Sequence, residues 1–242
     1  RGYFKDSGMP ATSIQRFLQA NLRNILSEKN LVTRLSKFGQ EIADPVEVPN
    51  ISNLFIYPSA DILGNFFYGT ETNLIGVLNR AEIGNYQVSI IITDGIQADK
   101  DGFNIGTMLQ SIENKIGKGV HLYLIGIKSA FEGYIYPECL NTHGLRTAFS
   151  YTGNKPIYIW IASFDEKMGN DLLKDFVNNF RDIMKKGGKD EAYIKNSIRT
   201  VSLSDTQLPK VYSIELQTIS DNYKITSRGN DMVGIVLSNS LK

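Results

Sequence analysis

Val88-Ser89-Ile90-Ile91-Ile92-Thr93-Asp94-Gly95 is the stretch that organises the rest of the chain. Its first six residues are almost continuously apolar and rich in β-branched side chains, which predicts a strand buried on both faces rather than one alternating between core and water. Asp94 ends the run and Gly95 allows a sharp turn after it. Downstream, Ile105, Met108, Leu109, Ile112 and Ile116 form a helical stripe closed by Gly117 and Gly119. A second buried run, Val120 to Ile127, follows, then an irregular aromatic and glycine-containing stretch, then a third, Pro156 to Ala162. The clearest helix pattern comes next, with Met168, Leu172, Leu173, Phe176, Val177, Phe180 and Ile183 on one face and Lys185 and Lys186 near its negative end.

Strands alternating with helices of this length predict an α/β domain with a doubly wound, mostly parallel, Rossmann-like sheet. Upstream, Leu74 to Ala81 reads as a short helix within 73–83, and Ile14, Phe17, Leu18, Leu22, Ile25 and Leu26 predict another over 13–28. Short strands are expected within 35–42 and 50–57. Beyond about residue 190 the pattern changes to alternating runs around Tyr212 to Ile219 and Met232 to Leu237, separated by turn residues. The expected organisation is therefore an α/β domain over 1–188 and a β-rich C-terminal extension over 189–242, mostly antiparallel.

Composition narrows the function. The 242 residues carry 26 Lys plus Arg and 25 Asp plus Glu, a formal charge of +1, so the chain lacks the basic excess of a nucleic-acid binder. No apolar run is long enough for a membrane-spanning helix. One cysteine, Cys139, excludes an internal disulfide framework and a cysteine-built zinc site, and two histidines, His121 and His143, argue against a histidine-based one. The compartment stays open, cytoplasmic or exported. Enzyme motifs are absent too: no Gly-x-Gly-x-x-Gly, P-loop, Gly-x-Ser-x-Gly elbow or His-Glu-x-x-His occurs.

In an open parallel sheet, ligands collect beyond the carboxyl ends of the strands, which singles out Asp94. The polar loop Gly69-Thr70-Glu71-Thr72-Asn73 opens onto the short helix at Leu74, with Thr72 able to serve as ligand or as helix cap. Together, VSIIITDG at 88–95 and GTETNL at 69–74 resemble the fourth-strand signature and the threonine loop of von Willebrand factor A domains, in the same order and 22 residues apart from Thr72 to Asp94. The resemblance covers about residues 1–186 and is closest to bacterial members. It implies a metal-ion-dependent adhesion site, with Thr72 supplying a hydroxyl and Asp94 a carboxylate to Mg²⁺, a hard cation that prefers oxygen. The Asp-x-Ser-x-Ser turn that completes such sites is absent. Asp6-Ser7-Gly8-Met9 has glycine where serine is needed, so that turn and its strand are expected upstream of Arg1, and the site in this chain is expected to hold the metal weakly.

The function implied is a protein–protein interaction module of the adhesion type, binding a protein partner through an acidic group, with no catalytic residues. The alternative is a Mg²⁺-dependent phosphoryl-transfer or hydrolytic enzyme using Asp94 and Asp165 as paired carboxylates. Asp165 and Glu166 also suit the first turn of the following helix, and Asp99 and Asp101 read as loop charges.

Overall fold

The computed structural model describes residues 34–36, 38–39, 41–44, 46–47, 72–80, 87–94, 105–135, 148–203, 214–219 and 222–227. The expected helix over 13–28 and strand over 50–57, together with Asp99, Asp101, Cys139, His143 and the run 232–237, lie outside them. Chain contacts divide the molecule into two units, Arg1–Thr206 and Gln207–Lys242. In the first, β1 (Arg34–Leu35) pairs antiparallel with β2 (Val46–Glu47), and helix α1 spans Leu74–Arg80. The second contains an antiparallel pair, β7 (Ile214–Ile219) and β8 (Asn222–Ser227).

The main sheet is built from β3 (Val88–Thr93), β4 (His121–Ile135), β5 (Phe149–Ser163) and β6 (Ile198–Leu203). The three buried runs do share one sheet, but the expected parallel, doubly wound order is overturned. The spatial order is β3-β5-β4-β6, and every neighbouring pair is antiparallel. Val88 stands opposite Ser163, His121 opposite the same Ser163, and Leu122 opposite Leu203.

The pairing explains why the sequence pattern resembled a parallel sheet. Since β3 and β4 both run antiparallel to β5, they run parallel to each other, joined by helix α2 (Ile105–Gly117) with β5 inserted between them. Likewise β5 and β6 run parallel with β4 between them, joined by α3 (Glu166–Lys186) and α4 (Glu191–Ser197). These are two interleaved split βαβ units. Their strands point in opposite directions and both cross the sheet the same way, so right-handed crossovers place their helices on opposite faces.

Burial follows that geometry. On one face Tyr123, Ile125, Ile127, Ile157, Ile159 and Ile161 pack with Leu172, Phe176, Phe180 and Met184 of α3 and Ile194 of α4. On the other, Ile91, Leu122 and Trp160 are also buried, as are Leu74, Leu78 and Ile112 of α1 and α2, which contact one another. An antiparallel sheet covered on both sides needs the same unbroken apolar strands as a parallel one.

Helix α3 is delimited by its own chemistry. The Asp165 carboxylate accepts a hydrogen bond from the Met168 N–H at 3.0 Å, and the Gly187 and Gly188 N–H groups donate to Ile183 and Lys185 carbonyls at the other end. Gly188, at φ 75°, adopts the left-handed conformation that closes the helix. Lys185 and Lys186 occupy the last turn, as the sequence indicated.

Candidate interaction site

The β4–β5 ladder is 15 residues long on each strand, and β3 and β6 cover only part of it. The last pairs with neighbours are Ile127 with Ile198 on one side and Tyr158 with Thr93 on the other. Beyond them, eight pairs from Lys128–Pro156 to Ile135–Phe149 form a two-stranded arm that neither β3 nor β6 accompanies.

Directly opposite residues share a face, so Phe131, Gly133 and Ile135 on β4 line up with Gly153, Tyr151 and Phe149 on β5. This is the face that packs on α3 nearer the sheet. Helix α3 starts just past Ser163, and its 21 residues span about 31 Å at roughly 1.5 Å each. The ladder of 15 pairs extends about 50 Å at roughly 3.3 Å each. The helix therefore runs out near Phe131, which is buried, and the apolar face continues beyond it. There Ile135 and Tyr151 are half-buried, while Phe149 is 49% exposed and Tyr134, on the opposite face, 65%.

At the root of the arm lies Asp94. One residue past the end of β3, its Oδ2 accepts a hydrogen bond from Lys155 Nζ at 2.7 Å, within an ion pair whose side chains are 30% and 14% exposed. The ammonium also sits 5.1 Å from the centroid of the Phe131 ring, within cation–π range. Phe131 in turn tilts against Tyr151 at 6.3 Å between centroids, and the Tyr151 hydroxyl donates to the Asn154 carbonyl at 3.0 Å.

The expected metal ligands fare differently. Thr72 is half-buried just before α1, and the helix is capped by its neighbour: Asn73 Oδ1 accepts from the Gly76 N–H at 2.8 Å, while the Asn73 N–H donates to the Gly39 carbonyl. The C-terminal end of α1 is held by buried Lys115, whose Nζ donates to the Asn79 carbonyl at 2.9 Å. Asp94 has a lysine ammonium at contact distance, so a divalent cation there would face direct charge repulsion or have to displace it. Among the described residues, no cluster of three or more His, Cys, Asp or Glu side chains could hold a metal. The described residues around Asp94 therefore do not fit a Mg²⁺ site.

Nor are the two carboxylates of the enzymatic alternative brought together. Asp94 follows Thr93, opposite Tyr158, whereas Asp165 lies beyond Ser163, opposite Val88. That register puts about 20 Å of strand between them, and Asp165 is occupied as the cap of α3.

Lys155 and Phe131 carry no signal of their own in the sequence. A usable one was the period-2 alternation of Phe131, Gly133 and Ile135 with polar neighbours, which marks a strand continuing past the sheet. Trp160, expected in the core, is there, and its indole N–H has no hydrogen-bond partner among the described residues.

Near the opposite end of the sheet, Tyr123 is buried and its hydroxyl donates to the Glu166 carbonyl at 3.2 Å. Burial, reinforced by the negative charges of Glu166 and Asp165, raises its pKa above the usual 10.0. The protonated phenol is thus favoured by folding. Its contribution is fully present below pH 10.0 and declines as the pH rises through the raised value. Stability measured by denaturant titration should fall more steeply in this alkaline range for the wild type than for Tyr123→Phe. Parallel curves would show that Tyr123 ionises as freely folded as unfolded.

No described helix is long and apolar enough to cross a membrane. Comparison of the chain with known protein families, curated proteins and solved structures found no match in any of the three.

Proposed function

We propose that the chain is a protein-interaction module that docks through the outer part of the β4–β5 arm. The observation that carries this reading is the excess length of the ladder over α3, which places Ile135, Tyr151 and Phe149 on a continuation of the core face past the end of α3, with no other described helix over them. Aromatic side chains on a rigid strand offer large contact area at small entropic cost. The adhesion-type role implied by the family resemblance is retained in its general form, as protein binding. Its cation-bridged form is not, because Asp94 is engaged with Lys155.

A photoreactive phenylalanine analogue placed at Phe149, and separately at exposed Lys174 on α3 as a control, tests the assignment in the native host. A discrete adduct is expected at position 149, absent at 174 and lost when Ile135 and Tyr151 are changed to serine. Equal labelling at both positions, or an adduct at 149 indifferent to the serine substitutions, would refute docking through the arm.

A further inference from the structure

We infer that the Asp94–Lys155 pair is a latch that fixes the direction of the arm relative to the sheet; its functional value rests on the arm being the docking surface. The ladder itself cannot set that direction. Among the described residues, the arm past Tyr158 and Ile127 is a two-stranded ribbon, and such ribbons twist more strongly and variably than wider sheets. Asp94 and Lys155 connect across the boundary. Asp94 directly follows strand β3, whereas Lys155 lies in the arm, three residues before the last β5 position that β3 pairs.

The pairing geometry makes the link a defined one. Val88, Ile90 and Ile92 stand opposite Ser163, Ile161 and Ile159, on the face that packs with α3. Asp94 continues that alternation, and Lys155 shares its parity with Ile157 and Ile159, so the pair meets diagonally on one face. Phe131, from the other strand of the arm, lies under the same ammonium. One cation thus joins three strands at the point where the sheet narrows from four to two. With Lys155 largely shielded from water, the attraction is less screened than at a surface pair. Holding the arm before a partner arrives spares the complex the entropic cost of ordering it.

Amide exchange in the isolated protein tests the latch without requiring a partner, so it can fail or succeed independently of the docking role. Asp94→Asn should accelerate exchange by roughly fivefold or more across residues 128–135 and 149–156, through easier local opening, while 159–163 and the centre of α3 remain unchanged. Lys155→Met should do the same, and the double variant should exchange no faster than the faster single variant, because one interaction has been removed from either end. Unchanged arm exchange in Asp94→Asn, additive effects in the double variant, or acceleration that spreads evenly into 159–163 would each overturn the latch.

Discussion

Replacing Gly169 with alanine is expected to destabilise the protein, against the direction that helix propensity alone indicates. Gly169 lies inside the first turns of α3 and is buried. In an open helix, alanine would gain about 1 kcal/mol over glycine. Here a Cβ would come 2.4 Å from Tyr123 Cε2, 3.2 Å from its Cζ and 3.3 Å from Ser163 Cβ. None of these can readily retreat. Tyr123 is held in β4 between Ile161 and Ser202, with its hydroxyl bonded to the Glu166 carbonyl, and the Ser163 hydroxyl donates to the Asp165 carbonyl at 2.8 Å, with the Gln87 carbonyl 3.3 Å away as the alternative acceptor. Overpacking of this kind costs about 1–3 kcal/mol, and leucine, with further atoms to place, should exceed alanine. Urea titration of Gly169→Ala would read the sign directly. Repeating the substitution in a Tyr123→Leu background, which lacks the offending ring atoms, should remove most of the penalty. A stabilised Gly169→Ala would mean that α3 does not approach β4 closely at this point.

How much of this architecture was legible depends on which property each residue reports. Val88–Thr93 was read with its observed bounds because β-branched continuity identifies a doubly covered strand. Continuity says nothing about direction. The parallel reading relied on strand–helix alternation, and split crossovers preserve that alternation while placing an antiparallel strand between the parallel partners. What would have distinguished them was the connection between the second and third runs, a hairpin rather than a crossover. Gly133, Pro137 and Gly144 obscured it by resembling turn residues. Within the strands, Tyr158 lies over the space a Cβ at Gly126 would enter, 3.4 Å away, and Pro156 falls two residues beyond the last β5 position paired by β3, where a missing N–H costs that pairing nothing.

The site was legible to the same partial extent. Asp94 stands out because a carboxylate ends an apolar run, and that placement is correct. Its partner is 61 residues away in a segment that looked irregular, and no local pattern connects the two. A carboxylate at a strand end is equally suited to bind a cation from solution or one supplied by the chain. Register decides between them, and register is what the sequence alone left open.

Phe176→Ala should produce the largest loss of stability among single substitutions in α3. The helix offers Leu172, Phe176, Phe180 and Met184 to the sheet at four-residue intervals, with Phe176 near the middle of the row and fully buried. It belongs to the core formed with Ile125, Ile127, Ile157, Ile159 and Ile161, of which all but Ile157 sit on strand positions paired on both edges. Such surroundings cannot collapse far into the space left by a benzyl group, so both the lost transfer energy and most of the cavity term are retained. The expected cost is about 3–5 kcal/mol, a large fraction of the roughly 5–15 kcal/mol typical of a folded domain. Val177→Ala, one position around the helix where the side chain is only half-buried, should cost about 1 kcal/mol and serves as the internal comparison. Denaturant midpoints with unchanged slopes would attribute both effects to the native state. If Phe176→Ala cost no more than Val177→Ala, α3 would not be seated on the sheet by the face seen here, and the covering that lets an antiparallel sheet carry such apolar strands would have to come from elsewhere.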